Sequence, residues 1–321
     1  MSAPTRLCIK ILLLCTSLLL ALGIVEGYLR ISRRDAAFNA ATELPWMRNN
    51  SGDLSQYFTV DRDIGFRPIL GAGGYSEYGT FTNSYPLEKR AGIARVLFIG
   101  DSVTARGKII DAIRKIYGDA KYEYWNAGVE SFNTIQEVKY YLRYNQAIQP
   151  DHVILTFHLN DFELTPVAYF NEKKQLVVYI PHTPLKAVNR WLFEKSYLYR
   201  LIVGLTLRPA SGRHAVVQEI QQNLQLLRDT LGERHIRLTI LIHPLLKPPE
   251  QWLPAERYAR KKIIGMARRL EIPYFDLFEP YSTLVTAAAE IQTKSGDTWH
   301  PTPETAAVFA DYLARHRLLE D

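Results

Sequence analysis

The chain has 321 residues, 47% hydrophobic and 22% charged, a composition that supplies one or two apolar cores and excludes a disordered or low-complexity protein. Its formal net charge of +6 is concentrated at the start, where Arg6, Lys10, Arg30, Arg33 and Arg34 oppose only Glu26. That leaves +4 in the first 34 residues and +2 in the remaining 287, too little for a nucleic-acid footprint.

The first predicted element is the N-terminal segment 1–34. It is apolar without interruption from Ile11 to Val25, between Lys10 and Glu26. Such a run is short for a membrane span and long for the core of a signal peptide. Three readings fit it: an uncleaved signal anchor, a cleaved signal peptide with Ala21-Leu22-Gly23 as a small-x-small site, and a helix buried in the globular domain. The first is carried forward, giving a single-pass protein whose globular domain is extracytoplasmic. Both cysteines, Cys8 and Cys15, lie here, so the rest of the chain has no disulfide framework and no thiolate metal cluster. The residues before Cys15 are Leu-Leu-Leu, without the small residue a lipoprotein signal needs, and cations on both flanks leave orientation open.

Residues 35–94 are rich in Gly, Pro and Tyr and show no sustained period, which predicts a linker and membrane-proximal region of loops and short strands. From Arg95 the texture changes. Strands are predicted at 95–100, 122–128, 152–159, 237–244 and 272–278, alternating with helices at 108–118, 134–148, 214–231, 256–270 and 304–319. In the first helix Ile109, Ile113, Ile116 and Tyr117 are expected to face inward, in the second Ile135, Val138 and Leu142. This alternation predicts an α/β domain over 95–321 with a parallel sheet and helices on both faces. Residues 162–213 interrupt it, as a peripheral hairpin and helix over a sheet edge or as a cap that shapes a cleft. The apolar aromatic helix in this insertion also suits a membrane or a partner.

Ligands of parallel sheets sit at the carboxyl ends of the strands, and four such ends carry chemistry. Gly100-Asp101-Ser102 closes the first strand; Ser102 there is either a helix cap or a nucleophile whose backbone N–H favours an oxyanion. Asn126-Ala127-Gly128 closes the second, where glycine lets its N–H approach a ligand. His158-Leu159-Asn160-Asp161 closes the third, with an asparagine amide able to donate to an oxyanion. Near the end of the chain, Asp297-Thr298-Trp299-His300-Pro301 precedes a helix capped by Thr302. An Asp and a His three residues apart can share a hydrogen bond that orients the imidazole as a base toward a serine. Asp101, His158 and His243 are weaker substrate-contact candidates; His158 is also a rival base or a packing residue, and His243 a structural one. Three histidines near one sheet edge, with no cysteine or His-x-x-x-His beside them, do not make a metal site, and no cofactor is expected.

The ordered set GDS at 100–102, NAG at 126–128, ND at 160–161 and DxxH at 297–300 resembles the sequence blocks of the SGNH hydrolases, or GDSL esterases, over 95–312. VEGYLR after the apolar run also resembles their membrane-anchored bacterial members. The resemblance implies a flavodoxin-like three-layer α/β/α fold, with Ser102 as nucleophile, His300 as general base and Asp297 orienting it. The Ser102 N–H, the Gly128 N–H and the Asn160 side chain would form the oxyanion hole. The chain departs from the family at His158, where glycine is usual. The implied activity is hydrolysis of O-acyl esters through an acyl-enzyme, on O-acetyl groups of envelope or exported polysaccharide. The alternatives are an O-acyltransferase or lipid esterase using the same residues, or a non-catalytic envelope binding protein. An acylated substrate and a membrane are the partners this implies; the sequence points to no protein partner.

Overall fold

The computed structural model describes residues 3–32, 54–81, 85–171, 173–179, 188–205, 210–283 and 296–320. The chain opens with helix α1 (Ala3–Ser32), followed by a hairpin of β1 (Phe58–Asp61) and β2 (Gly65–Pro68). Then come β3 (Ala94–Gly100), the single turn α2 (Ser102–Ala105), α3 (Lys108–Tyr117), β4 (Tyr122–Gly128), α4 (Thr134–Tyr140) and β5 (His152–His158). The insertion contributes the hairpin β6 (Val167–Phe170) and β7 (Leu176–Tyr179), then α5 (Arg190–Lys195) and α6 (Tyr197–Leu205). The core resumes with α7 (Ala210–Gly232), β8 (Arg237–His243), α8 (Pro254–Arg269), β9 (Tyr274–Asp276), α9 (Phe278–Ser282) and α10 (Pro303–Arg315).

Five strands form one parallel sheet in the order β4-β3-β5-β8-β9. Because successive side chains of a strand point to opposite faces, its apolar runs are divided between two cores. Leu97, Ile99, Val153, Leu155 and Ile240 meet α4, α7 and α8 on one face. Val96, Phe98, Ile154 and Leu241 meet α3 and α10 on the other. The result is the three-layer α/β/α arrangement expected, and the chain reverses direction across the sheet between β3 and β5.

The opposite, amino-terminal edge holds a buried ion pair. Arg95 Nε lies 2.9 Å from Glu123 Oε2 with both side chains fully enclosed, and the Arg95 guanidinium also donates to the carbonyls of Leu87, Ile148 and Pro86. Nearby, Arg237 contacts His152 Nδ1 at 2.9 Å, and His152 Nε2 meets Thr239 Oγ1 at 2.8 Å.

Several expectations need correction. Ile116 is exposed: the buried stripe of α3 runs through Ile109, Ile110, Ala112 and Ile113, so the last turn carries Ile116 out beside Pro303 and Ala307 of α10. The helix expected over 134–148 stays α-helical only to Tyr140, then widens into a π turn (Tyr141–Asn145) and a 3-10 turn (Gln146–Ile148), which buries both Tyr141 and Asn145. The last strand is only three residues long, because Asp276 Oδ1 accepts the Phe278 N–H and the chain enters α9.

Of the expected linker 35–94, residues 35–53 and 82–84 lie outside those described, but the described residues from Leu54 to Phe81 are folded. Phe58, Ile64, Phe66 and Tyr75 share a core with Phe132, Tyr140, Ala168, Leu176 and Val178, so the β1–β2 hairpin and the insertion hairpin pack together. Of the insertion, 172, 180–187 and 206–209 are outside the described residues. Helix α1 is long and apolar enough to cross a membrane, and among the described residues nothing covers its most apolar stretch, so it is not buried in the described globular core. Its end, where Leu29 is buried, packs on α6.

Candidate active site

Parallel register sets strand ends in a row: Gly100 lies opposite Gly128, and His158 opposite His243. After Gly100 the chain turns directly into α2. Asp101 is the residue that caps it, with the Val103 N–H donating to Oδ1 at 2.9 Å, so the Ser102 hydroxyl is left for another task. As the first residue of α2, Ser102 has a backbone N–H with no helical carbonyl to meet.

That hydroxyl faces His300, whose Nε2 is 2.8 Å from Ser102 Oγ. His300 Nδ1 lies 2.8 Å from Asp297 Oδ2 and 3.0 Å from Oδ1. A carboxylate can only accept, so Nδ1 carries the proton and Nε2 is left as the acceptor for the serine O–H. Asp297 is held in turn by the N–H groups of Trp299 at 3.0 Å and His300 at 3.1 Å. Burial works to raise its pKa, but these N–H groups and the imidazole outweigh it and hold the carboxyl below the usual range, keeping it anionic. The loop is fixed at both ends: the Leu246 N–H donates to Thr298 O at 2.8 Å, and Thr302 Oγ1 caps α10 through the Thr305 N–H, with Pro303 in the first helical position.

The other candidates end up in different places. Gly128 is close by, but its N–H donates to Asn126 Oδ1 at 2.9 Å and so is not offered to an oxyanion. A glycine is still required there, since a Cβ would sit 2.3 Å from the Ala105 backbone nitrogen; β4 approaches α2 too closely for any side chain. The Asn160 side chain lies outside the described residues. Its backbone belongs to the turn Leu159–Phe162, which Asp161 pins by accepting from the His158 N–H and the Thr134 hydroxyl, both at 3.0 Å.

Asp101, His158 and His243, expected as weak substrate contacts, are all buried and present no surface to a ligand. His158 stacks between Trp299 and His243, with ring centroids at 5.0 and 5.4 Å, and His243 meets Phe309 of α10. Burial, and then the neighbouring His158 and His300, push the His243 imidazole well below its usual pKa, so it is neutral. Below the turn that carries Asn160, Glu137 of α4 is also buried. Burial first, then the negative charge of Asp161, drives its carboxyl well above the ordinary range, and Asp161 is raised mainly by burial as well; between them the pair keeps at least one proton.

Three residues that the sequence reading passed over complete the rim. Arg106, one helical turn after Ser102, lies 3.3 Å from Asp297 Oδ2 and 3.6 Å from Glu130 Oε1. Burial pushes the Glu130 carboxyl up, against the pull of Arg106 and His300. Trp299, the residue before His300, is 44% exposed. The i, i+4 spacing of Ser102 and Arg106 was the signal for the first; an indole inside the DxxH block was the signal for the third.

No protein-family model and no curated protein matches the chain. Among solved structures, an acetylxylan esterase from Geobacillus stearothermophilus is similar at 14% identity and a TM-score of 0.46, covering 70% of this chain and 95% of that one. An α/β hydrolase from the metagenome of Lake Arreo, Spain, has 13% identity and a TM-score of 0.48, covering 72% and 99%. A putative GDSL-like lipase from Parabacteroides merdae has 14% identity and a TM-score of 0.43, covering 70% and 96%.

Proposed function

We propose that the chain is a serine ester hydrolase of the SGNH type that removes O-acetyl groups from an envelope or exported polysaccharide. The observation that carries this reading is the unbroken relay from Asp297 through His300 to the Ser102 hydroxyl, at 2.8 Å in each step.

In the forward reaction Ser102 Oγ attacks the ester carbonyl while His300 Nε2 takes its proton. The negative charge that forms on the carbonyl oxygen is met by the Ser102 N–H and the Asn160 amide. His300 returns the proton to the departing sugar hydroxyl, leaving an acyl-serine. Water then loses a proton to Nε2, attacks the acyl carbon and releases the carboxylic acid, which restores the serine. Asp297 keeps Nδ1 protonated throughout and stabilises the imidazolium. The open rim of Arg106, Glu130 and the exposed Trp299 face suits a polar ring better than an acyl chain, because an indole stacks on a sugar face while the charged pair tolerates water. Helix α1 would hold this domain at the outer side of a membrane.

A fluorophosphonate probe should label Ser102 in the wild type and leave Ser102→Ala unlabelled, with hydrolysis of 4-nitrophenyl acetate falling to background. Equal turnover by Ser102→Ala would overturn the reading. Asn160→Ala should retain measurable activity reduced by about 10²- to 10³-fold.

A further inference from the structure

We propose that α5 and α6 of the insertion lie in the membrane interface, clamped to the exit of α1 through Glu26, so that the catalytic domain rests against lipid in one fixed orientation. This rests on α1 spanning the membrane.

Glu26 is the first charged residue after the apolar run Ile11–Val25. Its carboxylate accepts the Ser196 hydroxyl at 2.9 Å, the Tyr197 N–H at 3.0 Å and the Leu198 N–H at 2.8 Å. These N–H groups open α6, where a carboxylate satisfies donors that no helical carbonyl can reach. Arg30, one turn further along α1, donates to Glu26 at 2.8 Å, reaches the Lys195 carbonyl and lies over the Tyr197 ring at 5.2 Å. The start of α6 and the end of α5 are therefore set at the depth where α1 would leave the hydrocarbon.

What the two helices expose matches that depth. Trp191 is 68% exposed, Ile202 54% and Leu205 63%, and the exposed Lys195 at the end of α5 pairs with Glu194 at 2.8 Å. An indole, aliphatic side chains and a cation are the composition of a helix lying in the headgroup region, with rings and alkyl groups turned inward and charges outward. The bonds that tie the start of α6 to Glu26 and Arg30, directly after an apolar helix, name the occupant as a bilayer rather than a second copy of the chain.

The test uses the full chain in phosphatidylcholine–phosphatidylglycerol vesicles, with and without bromines on the upper part of the acyl chain. The Trp191 signal is the emission difference between wild type and Trp191→Phe. Brominated lipid should roughly halve it, as for a side chain at the headgroup–acyl boundary. Glu26→Gln should lose most of that quenching while hydrolysing 4-nitrophenyl acetate at the wild-type rate. Cys8 and Cys15 report separately on α1. Both shielded from a water-soluble maleimide with Trp191 unquenched would overturn the proposal and leave the span standing. Both reactive in intact, folded protein would remove the span, and the proposal with it. Disulfide trapping of Leu205→Cys between copies, without quenching, would give the face to a second chain and overturn the proposal as well.

Discussion

Asp297 decides which nitrogen of His300 carries the proton. With the carboxylate present, Nδ1 is the donor and Nε2 the acceptor; with an amide in its place the other tautomer competes and Nε2 can carry the proton. Asp297→Asn should therefore lower kcat for 4-nitrophenyl acetate by about 10⁴-fold with KM little changed, measured on protein whose unfolding midpoint matches wild type. Ser102, Asp297 and His300 were legible because Ser102 opens a helix directly after a strand and the other two sit in the turn before a helix, where sequence position fixes placement. His158 and His243 were not, although they close strands of the same sheet. The last residue of a strand still belongs to the pleat, and both side chains turn inward, His243 onto Phe309. The Gly128 N–H, expected in the oxyanion hole, donates instead to Asn126 Oδ1, a short-range bond that is invisible in a residue pattern. Gly128→Ala should push α2 away from β4, costing about 1–3 kcal/mol of stability in urea unfolding and lowering fluorophosphonate labelling of Ser102 more than that loss explains.

At the scale of elements, the strands of the sheet were readable from apolar runs and the helices from their period, whereas the ends and kinks were set by packing. Neither the widened turn after Tyr140 nor the exposure of Ile116 follows from local pattern, because both depend on which neighbour lies beside the helix. The short strands before β3 and the hairpin after β5 were expected, but not what they pack on: β1 and β2 share a core with Phe132, Tyr140 and the insertion hairpin, whose other residues meet Val188, Phe193 and Val203. The buried pair of Arg95 and Glu123 joins β3 to β4 at the end remote from the serine. Arg95→Met should lower stability by about 3–5 kcal/mol and leave kcat of the folded fraction unchanged, since the carbonyls of Leu87, Ile148 and Pro86 lose their donor and Glu123 keeps only the half-exposed Arg90 at 2.9 Å and the Trp125 indole N–H at 3.1 Å. A loss below about 1 kcal/mol in chemical denaturation would show that Arg90 alone balances the Glu123 charge.

Across the whole molecule, buried titratable groups give stability two opposed pH dependences. His152 is held neutral, its pKa lowered from 6.5 to about 3 by burial and the facing Arg237. The unfolded chain takes up this proton below pH 6.5 and the folded one does not, so stability falls as pH drops from 6.5 toward 3, by up to about 1.4 kcal/mol per pH unit. His152→Gln should flatten that acid limb in urea midpoints. Glu137 has the opposite sign. Its pKa is raised from 4.5, so the folded state keeps a proton that the unfolded state releases, and stability is lost as pH rises above 4.5. Glu137→Gln should gain on wild type steadily as pH increases. One further consequence follows from the separation of the reactive pair. Ser102 and His300 are 198 positions apart, and the loop that bears the imidazole is held by Leu246, just past β8, and by α10. A nascent chain emerging from a ribosome or crossing a membrane presents the serine long before it has a base. On the proposed reading, chemistry at Ser102 would wait until α10 has docked, and probe labelling of Ser102 would double as a clock for that docking step.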